Sequence, residues 1–408
     1  MPDEEKLAAV RAALPAVEAG IYLNAGSVGP LPAETARAMA DLEAWELRTG
    51  RAHVDYFEEF LARMDEARGA TAAVLGTDVD AIALNHSTTD GMNQAIAALD
   101  WRPGDRAVSS QLEHAGGVGP LHALRARLGV DLTLVDAGAG GDDEATLAAF
   151  DAAITPSTRL VALAHVSPMT GARQPVAQIA ELAHGRGALV VVDGAQAAGA
   201  IPVDVPATGA DFYAIPAHKW LLGPEGMGAL AVGPGIVDRL YPGAAGAYSF
   251  ESFDPRGDVS FWADARRFDG SGFHRPSVVG MARSIGWLSM YVGLDWIHAR
   301  GRMLARRTAE RLAAIAGVEV ITPLEHMATL VTFRIASWPA RPALEELGAR
   351  VFAIARPIDH LDALRISVGF WATDAELERF AEAVELLAAH TPETMPARRT
   401  LTILGQDA

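Results

Sequence analysis

The sequence contains no cysteine among its 408 residues. Disulfides, thiolate metal sites and cysteine nucleophiles are therefore all excluded for this chain. No uninterrupted apolar run reaches the roughly 20 residues that a membrane-spanning helix needs. The N-terminus, Met-Pro-Asp-Glu-Glu-Lys, lacks the basic and apolar regions of a signal peptide, so we expect a cytoplasmic protein that contacts no membrane.

Positive charge is also scarce, with 34 Lys and Arg residues against 51 Asp and Glu residues and a net charge of -17. Clustered positive charge supplies the affinity for nucleic acids and anionic membranes, so neither is an expected partner. The chain is longer than the roughly 250 to 300 residues at which single hydrophobic cores stop growing. These features predict two domains and a small-molecule partner.

Short apolar runs alternate with helical patterns through the first half of the chain. The runs predict strands at 81–84, 107–108, 131–135, 160–165 and 188–193. Near-continuous Val, Leu and Ala runs are typical of a mainly parallel sheet covered by helices on both faces. A further run at 229–232 is expected to close the sheet on one edge.

The second half of the chain has a different pattern. An irregular stretch from about 241 to 276 leads into one long helical pattern, about 278–315, and then into shorter strands and helices of a compact α+β unit. The predicted domains are an N-terminal helical segment at 1–20, a large domain at 21–275, a small C-terminal domain at 276–390 and a tail at 391–408.

The stretch from Tyr213 to Gly228 sets one lysine, Lys219, between an apolar run and a glycine-rich turn. A lysine amine becomes a useful nucleophile when desolvation or a neighbouring cation lowers its pKa, and apolar neighbours and His218 can supply both effects. On this stretch alone a solvated surface lysine is the ordinary interpretation, because most lysines are exposed. The assignment therefore depends on residues elsewhere.

Two further polar groups come after a predicted strand. Asp193 closes a Val-rich run, where a buried carboxylate needs a cationic or donor partner such as a protonated pyridine nitrogen. Gln196, three residues later, offers an amide donor to an oxygen on the same ring. Taken alone, Asp193 is equally explained as the N-cap of a following helix.

A hydroxyl-rich turn, Ser87-Thr88-Thr89, lies between a predicted strand and a predicted helix. Its hydroxyls and the first free helix amides can hold a phosphate dianion, although plain helix capping explains the same residues. A lysine that forms a Schiff base, an aspartate against a pyridinium and a helix-terminus phosphate site together specify pyridoxal 5'-phosphate (PLP). No metal site is predicted.

The stretches Asp193-Gly-Ala-Gln196 and His218-Lys219-Trp-Leu-Leu-Gly-Pro-Glu-Gly-Met-Gly228 resemble the signature of class V aminotransferase, cysteine-desulfurase-like enzymes. The resemblance extends from Tyr22 to about Leu387. It implies PLP fold type I, which is an α/β fold with a mainly parallel seven-stranded sheet and a smaller α+β C-terminal domain.

The resemblance also implies roles for single residues. Lys219 would hold PLP and act as the catalytic base, and Asp193 and Gln196 would contact the ring nitrogen and ring oxygen. His114, in Glu113-His114, would stack on the ring. The implied phosphate contacts come from Ser87, Thr88, Thr89, His218 and Ser271, and the implied substrate contacts from Arg365, Arg356, Asn24, Gly26 and Ser27. In these enzymes the hydroxyl matching Ser271 comes from the neighbouring subunit, which implies a homodimer with shared active sites.

The absence of cysteine decides between activities of the family. Cysteine desulfurases accept sulfur on a cysteine in a mobile loop, so that activity is excluded. Leu99-Asp100-Trp101 and His218-Lys219-Trp220 are similar to the cyst(e)ine C–S lyases, which also carry two arginines nine positions apart, as at Arg356 and Arg365. Two arginines suit a substrate with two carboxylates. The expected reaction is β-elimination from cystine, cysteine or a cysteine conjugate, giving pyruvate and ammonia.

Other outcomes begin with the same removal of the Cα proton. An aminotransferase returns a proton to the cofactor, and an epimerase of the isopenicillin-N type returns it to Cα from the other face. After Arg365 the stretch 369–372 (Gly-Phe-Trp-Ala) departs from the family pattern, and we expect it to alter the pocket wall. The intact set of Lys219, Asp193 and Arg365 argues against an inactive scaffold.

Overall fold

A seven-stranded sheet and a four-stranded sheet organise the computed structural model, which describes residues 3–52 and 54–398. In chain order the helices and strands are α1 (Asp3–Ala12), β1 (Ile21–Tyr22), α2 (Ala33–Thr49), α3 (Val54–Leu75), β2 (Ile82–Asn85), α4 (Thr88–Ala97), β3 (Arg106–Ser110), α5 (Ala115–Leu128), β4 (Asp131–Val135), α6 (Asp143–Ala153), β5 (Thr158–Ala164), α7 (Val176–His184), β6 (Leu189–Asp193), α8 (Val205–Thr208), β7 (Phe212–Pro216), β8 (Gly228–Val232), β9 (Phe250–Phe253), β10 (Val259–Phe261), α9 (Arg275–Gly286), α10 (Leu294–Ala313), β11 (Val318–Val320), β12 (Leu330–Ile335), α11 (Ala340–Val351), β13 (Ala353–Ile354), β14 (Arg356–Ile358), β15 (Ala363–Ser367) and α12 (Asp374–Ala388).

The large sheet has the strand order β2-β8-β7-β6-β5-β3-β4. Strands β7, β6, β5, β3 and β4 are parallel neighbours, whereas β8 runs antiparallel to both β2 and β7. The predicted mainly parallel seven-stranded sheet is therefore confirmed. The expectation that the run at 229–232 closes an edge was wrong, because β8 is second from the edge and β2 lies outside it.

Both faces of this sheet are buried, as the apolar strands predict. On β6, Val190 and Val192 pack into one hydrophobic core, and Val191 packs into the core on the opposite face. Residues of α3 and α7 share the first core, and residues of α4 and α5 share the second. Since the sheet is covered on both sides, open space for a ligand remains at the strand ends.

Helix α5 begins at Ala115, five residues before the expected helix around 120–128. Three of its first five residues are glycines, which are poor helix formers and hide the helix in the sequence. The side chain of His114 caps it, because Nδ1 accepts a hydrogen bond from the Gly116 amide at 3.0 Å. The cap places His114 near the carboxyl end of β3.

The single long helix expected at about 278–315 is interrupted. Helix α9 passes into a π-helical turn, Trp287–Val292, and Gly293 then adopts a φ of 88° before α10 begins. Only glycine takes up such a backbone conformation without strain. The stretch at 241–276 is also less irregular than expected, since β9 and β10 form an antiparallel hairpin within it.

The C-terminal part contains the antiparallel sheet β11-β12-β15-β14, and residues of α10, α11 and α12 pack in the same core. This is the smaller α+β unit that was predicted, although its boundary at 275/276 stays a prediction. The predicted tail at 391–408 lies outside the described residues from 399 onward. Among the described residues, no helix is both long enough and apolar enough to cross a membrane.

A buried ion pair connects the stretch after the hairpin to the edge of the large sheet. The two Nη atoms of Arg68 donate to the two carboxylate oxygens of Asp269, each at 3.0 Å. The Leu84 amide of β2 donates to Asp269 Oδ1 at 2.7 Å, and the Gly270 amide donates to the Leu84 carbonyl. These bonds hold the segment that carries Ser271 against the strand that leads into the Ser87 turn.

We expect Asp269→Asn to destabilise the protein by about 3–5 kcal/mol, because it removes the buried carboxylate from the Arg68 guanidinium and leaves the exposed Asp65, at 3.6 Å from Nε, as its charged partner. The free energy of unfolding in urea measures the effect. Asp254→Asn is the matched control, since Asp254 and Arg256 form a bidentate pair on the surface, where solvent screens the interaction. Equal losses in the two variants would contradict the assignment.

Candidate active site

A cavity of about 330 Å³ lies where the parallel strands of the large sheet end. The turns after β2, β3, β6 and β7 contribute to its wall, together with a loop near the N-terminus and two residues of the small sheet. The lining residues are Gly26, Ser27, Val28, Ser87, Thr88, Thr89, His114, Asp193, Ala195, Gln196, Pro216, His218, Lys219, Glu225, Arg356 and Arg365. Twelve of the fourteen residues predicted for the site lie in this wall; Asn24 and Ser271 do not.

Lys219 lies in the turn after β7 and lines the cavity. Burial and the charges of Arg365 and Arg356 lower the pKa of its amine to about 8, although the charge of Asp193 opposes this change. A substantial fraction of the amine is therefore neutral near pH 8, and a neutral amine is the form that attacks a carbonyl carbon. The chain has one other lysine, Lys6, which lies over the ring of Trp296.

Asp193 is the last residue of β6 and is buried. Its Oδ1 accepts a hydrogen bond from the Ala195 amide at 2.9 Å. Its Oδ2 lies beneath the first turn of α5, where a Cβ at Gly117 would approach it to 3.3 Å. The residues after Asp193 form turns, so the alternative interpretation of this aspartate as a helix cap does not hold.

Two helices begin at residues of the cavity wall, α4 after Ser87 and α5 after His114. Ser87 caps α4, since its Oγ accepts a hydrogen bond from the Asp90 amide at 3.1 Å, and its hydroxyl proton remains available. Thr88 Oγ1 and His218 Nδ1 are enclosed and have no hydrogen-bond partner within the described residues. Hydroxyl and amide donors at a helix N-terminus are suited to a phosphate dianion, and the imidazole of His218, in the turn after β7, can add a donor when its proton is on Nδ1.

His114 contributes a further part of the cavity wall. Burial lowers the pKa of its imidazole, and the charge of Lys219 lowers it further. Because Nδ1 accepts from Gly116, the proton of the neutral ring is on Nε2. A neutral imidazole at this position can lie flat against an aromatic ring, which is the arrangement expected for His114.

Arg365 is 2% exposed, yet most of its guanidinium has no partner. Nη1 donates to the Pro168 carbonyl at 2.7 Å, while Nε and Nη2 lack hydrogen bonds to any described residue. Burial and the charge of Arg356 together lower the pKa of Arg365 to about 9. Buried donors without partners are costly, so this edge of the guanidinium is prepared for an anionic ligand.

Arg356 lies directly opposite Arg365 in the pairing of β14 with β15. Its side chain is exposed at the rim of the cavity, where Nη1 donates to Ser27 Oγ at 3.3 Å. Like charges in directly opposed positions destabilise a sheet. This arrangement therefore favours an anion between or beside the two arginines.

Asn24 and Ser271 lie outside the cavity wall. Asn24 is behind it, bridged through its backbone to Ser367, and its Oδ1 is enclosed without a partner among the described residues. Ser271 is exposed and lies near Gly246. The stretch 369–372 was expected to alter the pocket wall and does not line it, because Phe370 and Trp371 are buried elsewhere.

Several wall residues were not predicted. Ala195, Pro216 and Glu225 line the cavity, each within six residues of a predicted one. Glu113 is a second buried carboxyl near Asp193, and it accepts a hydrogen bond from Ser110 at 2.6 Å. Burial and the charge of Asp193 raise the pKa of Glu113 to about 8, although the hydrogen bond from Ser110 opposes the rise. The motif Glu113-His114 drew attention to the histidine only.

PLP fits this set of residues. Its phosphate matches the unpartnered donors of Thr88 and His218, and its ring nitrogen matches the buried carboxylate of Asp193. Its aldehyde matches the neutral amine of Lys219. Buried polar atoms normally have hydrogen-bond partners, so the unpartnered atoms among these described residues indicate a ligand that supplies them.

We expect the rate at which PLP-free protein binds PLP covalently to rise with pH up to about 8 and to level off above it. The reason is that the neutral amine of Lys219, with its lowered pKa, is the reacting form. The appearance of near-visible absorbance after mixing measures the rate. Lys219→Ala, in which Lys6 is the only lysine left, should give none. A rate that still rises beyond pH 10 would show an ordinary, solvated lysine.

Comparison with known proteins agrees with the geometry. Residues 21–380 match the family model described as Aminotransferase class-V. A probable cysteine desulfurase of Methanothermobacter thermautotrophicus is 27% identical over 93% of this chain and 97% of that protein. The isopenicillin N epimerase of Streptomyces clavuligerus is 30% identical over 90% of this chain and 94% of that protein.

A solved structure of the cystine C–S lyase C-DES with its reaction product cysteine persulfide superposes with a TM-score of 0.85. It is 23% identical and covers 91% of this chain and 99% of that one, and this likeness establishes the shared fold. The cavity at the strand ends and the match over most of the length lead to one conclusion. The chain belongs to the class-V aminotransferase family, with PLP fold type I, and is a PLP-dependent enzyme.

Proposed function

We propose that the enzyme is a C–S β-lyase that acts on cystine, cysteine or a cysteine conjugate and releases pyruvate and ammonia. The observation that carries the proposal is the pair of arginines at the cavity. Among the described residues, Arg365 is buried with Nε and Nη2 unpartnered, and Arg356 stands directly opposite it at the rim. Lys219 lines the same cavity.

Arg365 would bind the α-carboxylate of the substrate through the edge that lacks partners. Its Nη1 bond to the Pro168 carbonyl holds the guanidinium in place before the substrate arrives. A carboxylate that accepts two hydrogen bonds from one guanidinium is held in a defined orientation. The amino acid would therefore be held in one orientation in the cavity that Lys219 also lines.

Lys219 would move the proton in the reaction. With a pKa of about 8, its amine can take the Cα proton at neutral pH and return one later. PLP, when bound, supplies the electron-accepting ring that makes this proton acidic, and Asp193 would hold the ring nitrogen. After loss of the Cα proton the Cβ–S bond breaks, and sulfur leaves with the bonding electrons. Water then completes the conversion to pyruvate and ammonia.

Arg356 favours a substrate with a second negative group. Its exposed guanidinium contacts Ser27 through one nitrogen, which leaves other N–H groups to reach a distal carboxylate. Cystine has two carboxylates, and its leaving group is a persulfide, which departs more readily than hydrosulfide. The absence of cysteine agrees with this reaction, because elimination needs no protein thiol to accept sulfur.

A second candidate is epimerisation of an amino acid at Cα. The 30% identity to an isopenicillin N epimerase over most of both chains favours it. Transamination is a third candidate, since it begins with the same proton transfer. All three reactions need Lys219 to remove the Cα proton. They differ only in the steps that follow.

We also propose that the enzyme is a homodimer in the cytoplasm. Support for the dimer comes from Ser271, an expected phosphate contact that is exposed and outside the cavity of its own chain. A neighbouring subunit would bring its Ser271 to this cavity. Molecular mass in solution tests the dimer, and a monomer of full activity would contradict it.

We expect L-cystine, incubated with the enzyme and no keto acid, to release pyruvate and ammonia. Coupled reduction of pyruvate measures the rate, and Lys219→Ala is the inactive control. Product that appears only after a keto acid is added would indicate transamination instead. Loss of optical activity in an amino acid without pyruvate would indicate epimerisation.

We expect Arg356→Gln to raise KM for cystine roughly tenfold, the effect of one lost charged hydrogen bond, and to change KM for S-methylcysteine little. Arg365→Gln should weaken the binding of both substrates, since both have an α-carboxylate. Arg341→Gln is the matched control, because Arg341 is an exposed arginine that pairs with Asp359 away from the cavity. Equal effects of Arg356→Gln on the two substrates would contradict a second carboxylate site.

A further inference from the structure

Trp220, the residue after Lys219, is buried and makes a specific hydrogen bond. Its indole Nε1 donates to Gln196 Oε1 at 2.9 Å. The other end of the same amide, Gln196 Nε2, donates to the Gly26 carbonyl at 2.8 Å. The amide of Gln196 therefore connects the lysine turn to residues 24–29, which we call the substrate loop.

The two partners leave the amide of Gln196 one possible orientation. An indole N–H only donates, so it requires the amide oxygen, and a backbone carbonyl only accepts, so it requires the amide nitrogen. If the amide were flipped, both bonds would be lost inside a buried region, where Gln196 is 3% exposed. The second N–H of Nε2 is left over from these two bonds, and Gln196 lines the cavity.

The substrate loop is fastened on both sides of Lys219. On one side the Gly29 amide donates to the His218 carbonyl at 2.7 Å, and on the other side Trp220 acts through Gln196. The loop in turn lies against the carboxylate site, since a Cβ at Gly26 would come within 3.1 Å of Arg365 Nη2. A shift of the loop would therefore disturb the space beside Arg365.

We propose that Trp220 is a positioning residue that acts through Gln196. It orients the amide so that the remaining N–H faces the ring oxygen of PLP, and it holds the substrate loop against Arg365. The proposal rests on PLP binding and on the contact of Gln196 with the ring, and it is independent of which bond the enzyme breaks. The cystine assay therefore tests the lyase activity separately.

The test uses Trp220→Phe, which removes the indole N–H and keeps an aromatic ring. A donor to the ring oxygen favours its ionised form and lowers the pKa of the near-visible absorbance of lysine-bound PLP. We expect Trp220→Phe to raise this pKa by roughly half to one unit, the effect of one hydrogen bond, and to raise KM several-fold. Titration of the absorbance against pH measures the shift without turnover.

The matched control is Trp338→Phe, because Trp338 is a buried tryptophan whose Nε1 donates to the Leu387 and His390 carbonyls in the small sheet's core. It should lower Tm and leave the pKa of the absorbance unchanged. If Trp220→Phe also changes only Tm, Trp220 is merely structural and the proposal fails.

Gln196→Met completes the test, and it does not depend on whether Trp220→Phe folds. Alone it should raise the pKa of the absorbance as Trp220→Phe does, and no rise would overturn the proposal. In the double variant, Trp220→Phe should add nothing further, because two residues that act through one contact are not additive. A full additional shift in the double variant would show that Trp220 does not act through Gln196.

Discussion

An arginine buried without a carboxylate partner among the described residues is the constraint on which the site depends. Desolvating a guanidinium costs several kcal/mol unless hydrogen bonds offset the loss, and Arg365 keeps one such bond, to the Pro168 carbonyl. The rest of the fold has to stabilise this charge. The same cluster of charge and the same burial lower the pKa values of Lys219 and His114, so binding and proton transfer have a common electrostatic cause.

Arg365 belongs to the small sheet, whereas Lys219 belongs to the large one. The connection between them is the turn after β5, which receives three side-chain bonds from the small sheet's side. Arg365, Thr332 and Thr322 donate to the carbonyls of residues 168, 169 and 170 at 2.7, 2.7 and 2.6 Å. These bonds fix the carboxylate site against the large sheet, which also carries Lys219 after β7, before any ligand binds, and such preorganisation is what catalysis requires.

Much of this arrangement could be predicted because the residues with chemical roles follow the ends of strands. Ser87, Asp193 and Lys219 come shortly after apolar runs, and parallel strands bring their carboxyl ends to one edge of the sheet. The order of the strands could not be predicted in the same way. The run at 229–232 has the same apolar composition whether it lies at an edge or, as observed for β8, between two antiparallel neighbours.

Hydrogen bonds from side chains to backbone carbonyls could not be predicted from the sequence either. The partner of Arg365 is the carbonyl of Pro168, and the partner of Gln196 is the carbonyl of Gly26; a carbonyl group is present at every position of a chain. The early start of α5 could not be predicted either, because three glycines have poor helix propensity and histidine is not among the usual N-cap residues, although His114 caps this helix. The residue types in the sequence predicted which side chains form the site. The hydrogen bonds that fix those side chains depend on tertiary packing.

The scarcity of lysine limits the places where the enzyme can bind PLP covalently. An aldehyde such as PLP condenses with any accessible neutral amine, and a protein with many surface lysines collects it at sites without function. Here arginine supplies nearly all of the positive charge, and Lys6 is the single side-chain amine besides Lys219. The amount of covalently bound PLP therefore measures how much of one cavity is occupied. The surface of the molecule has almost no other amine with which free PLP can react.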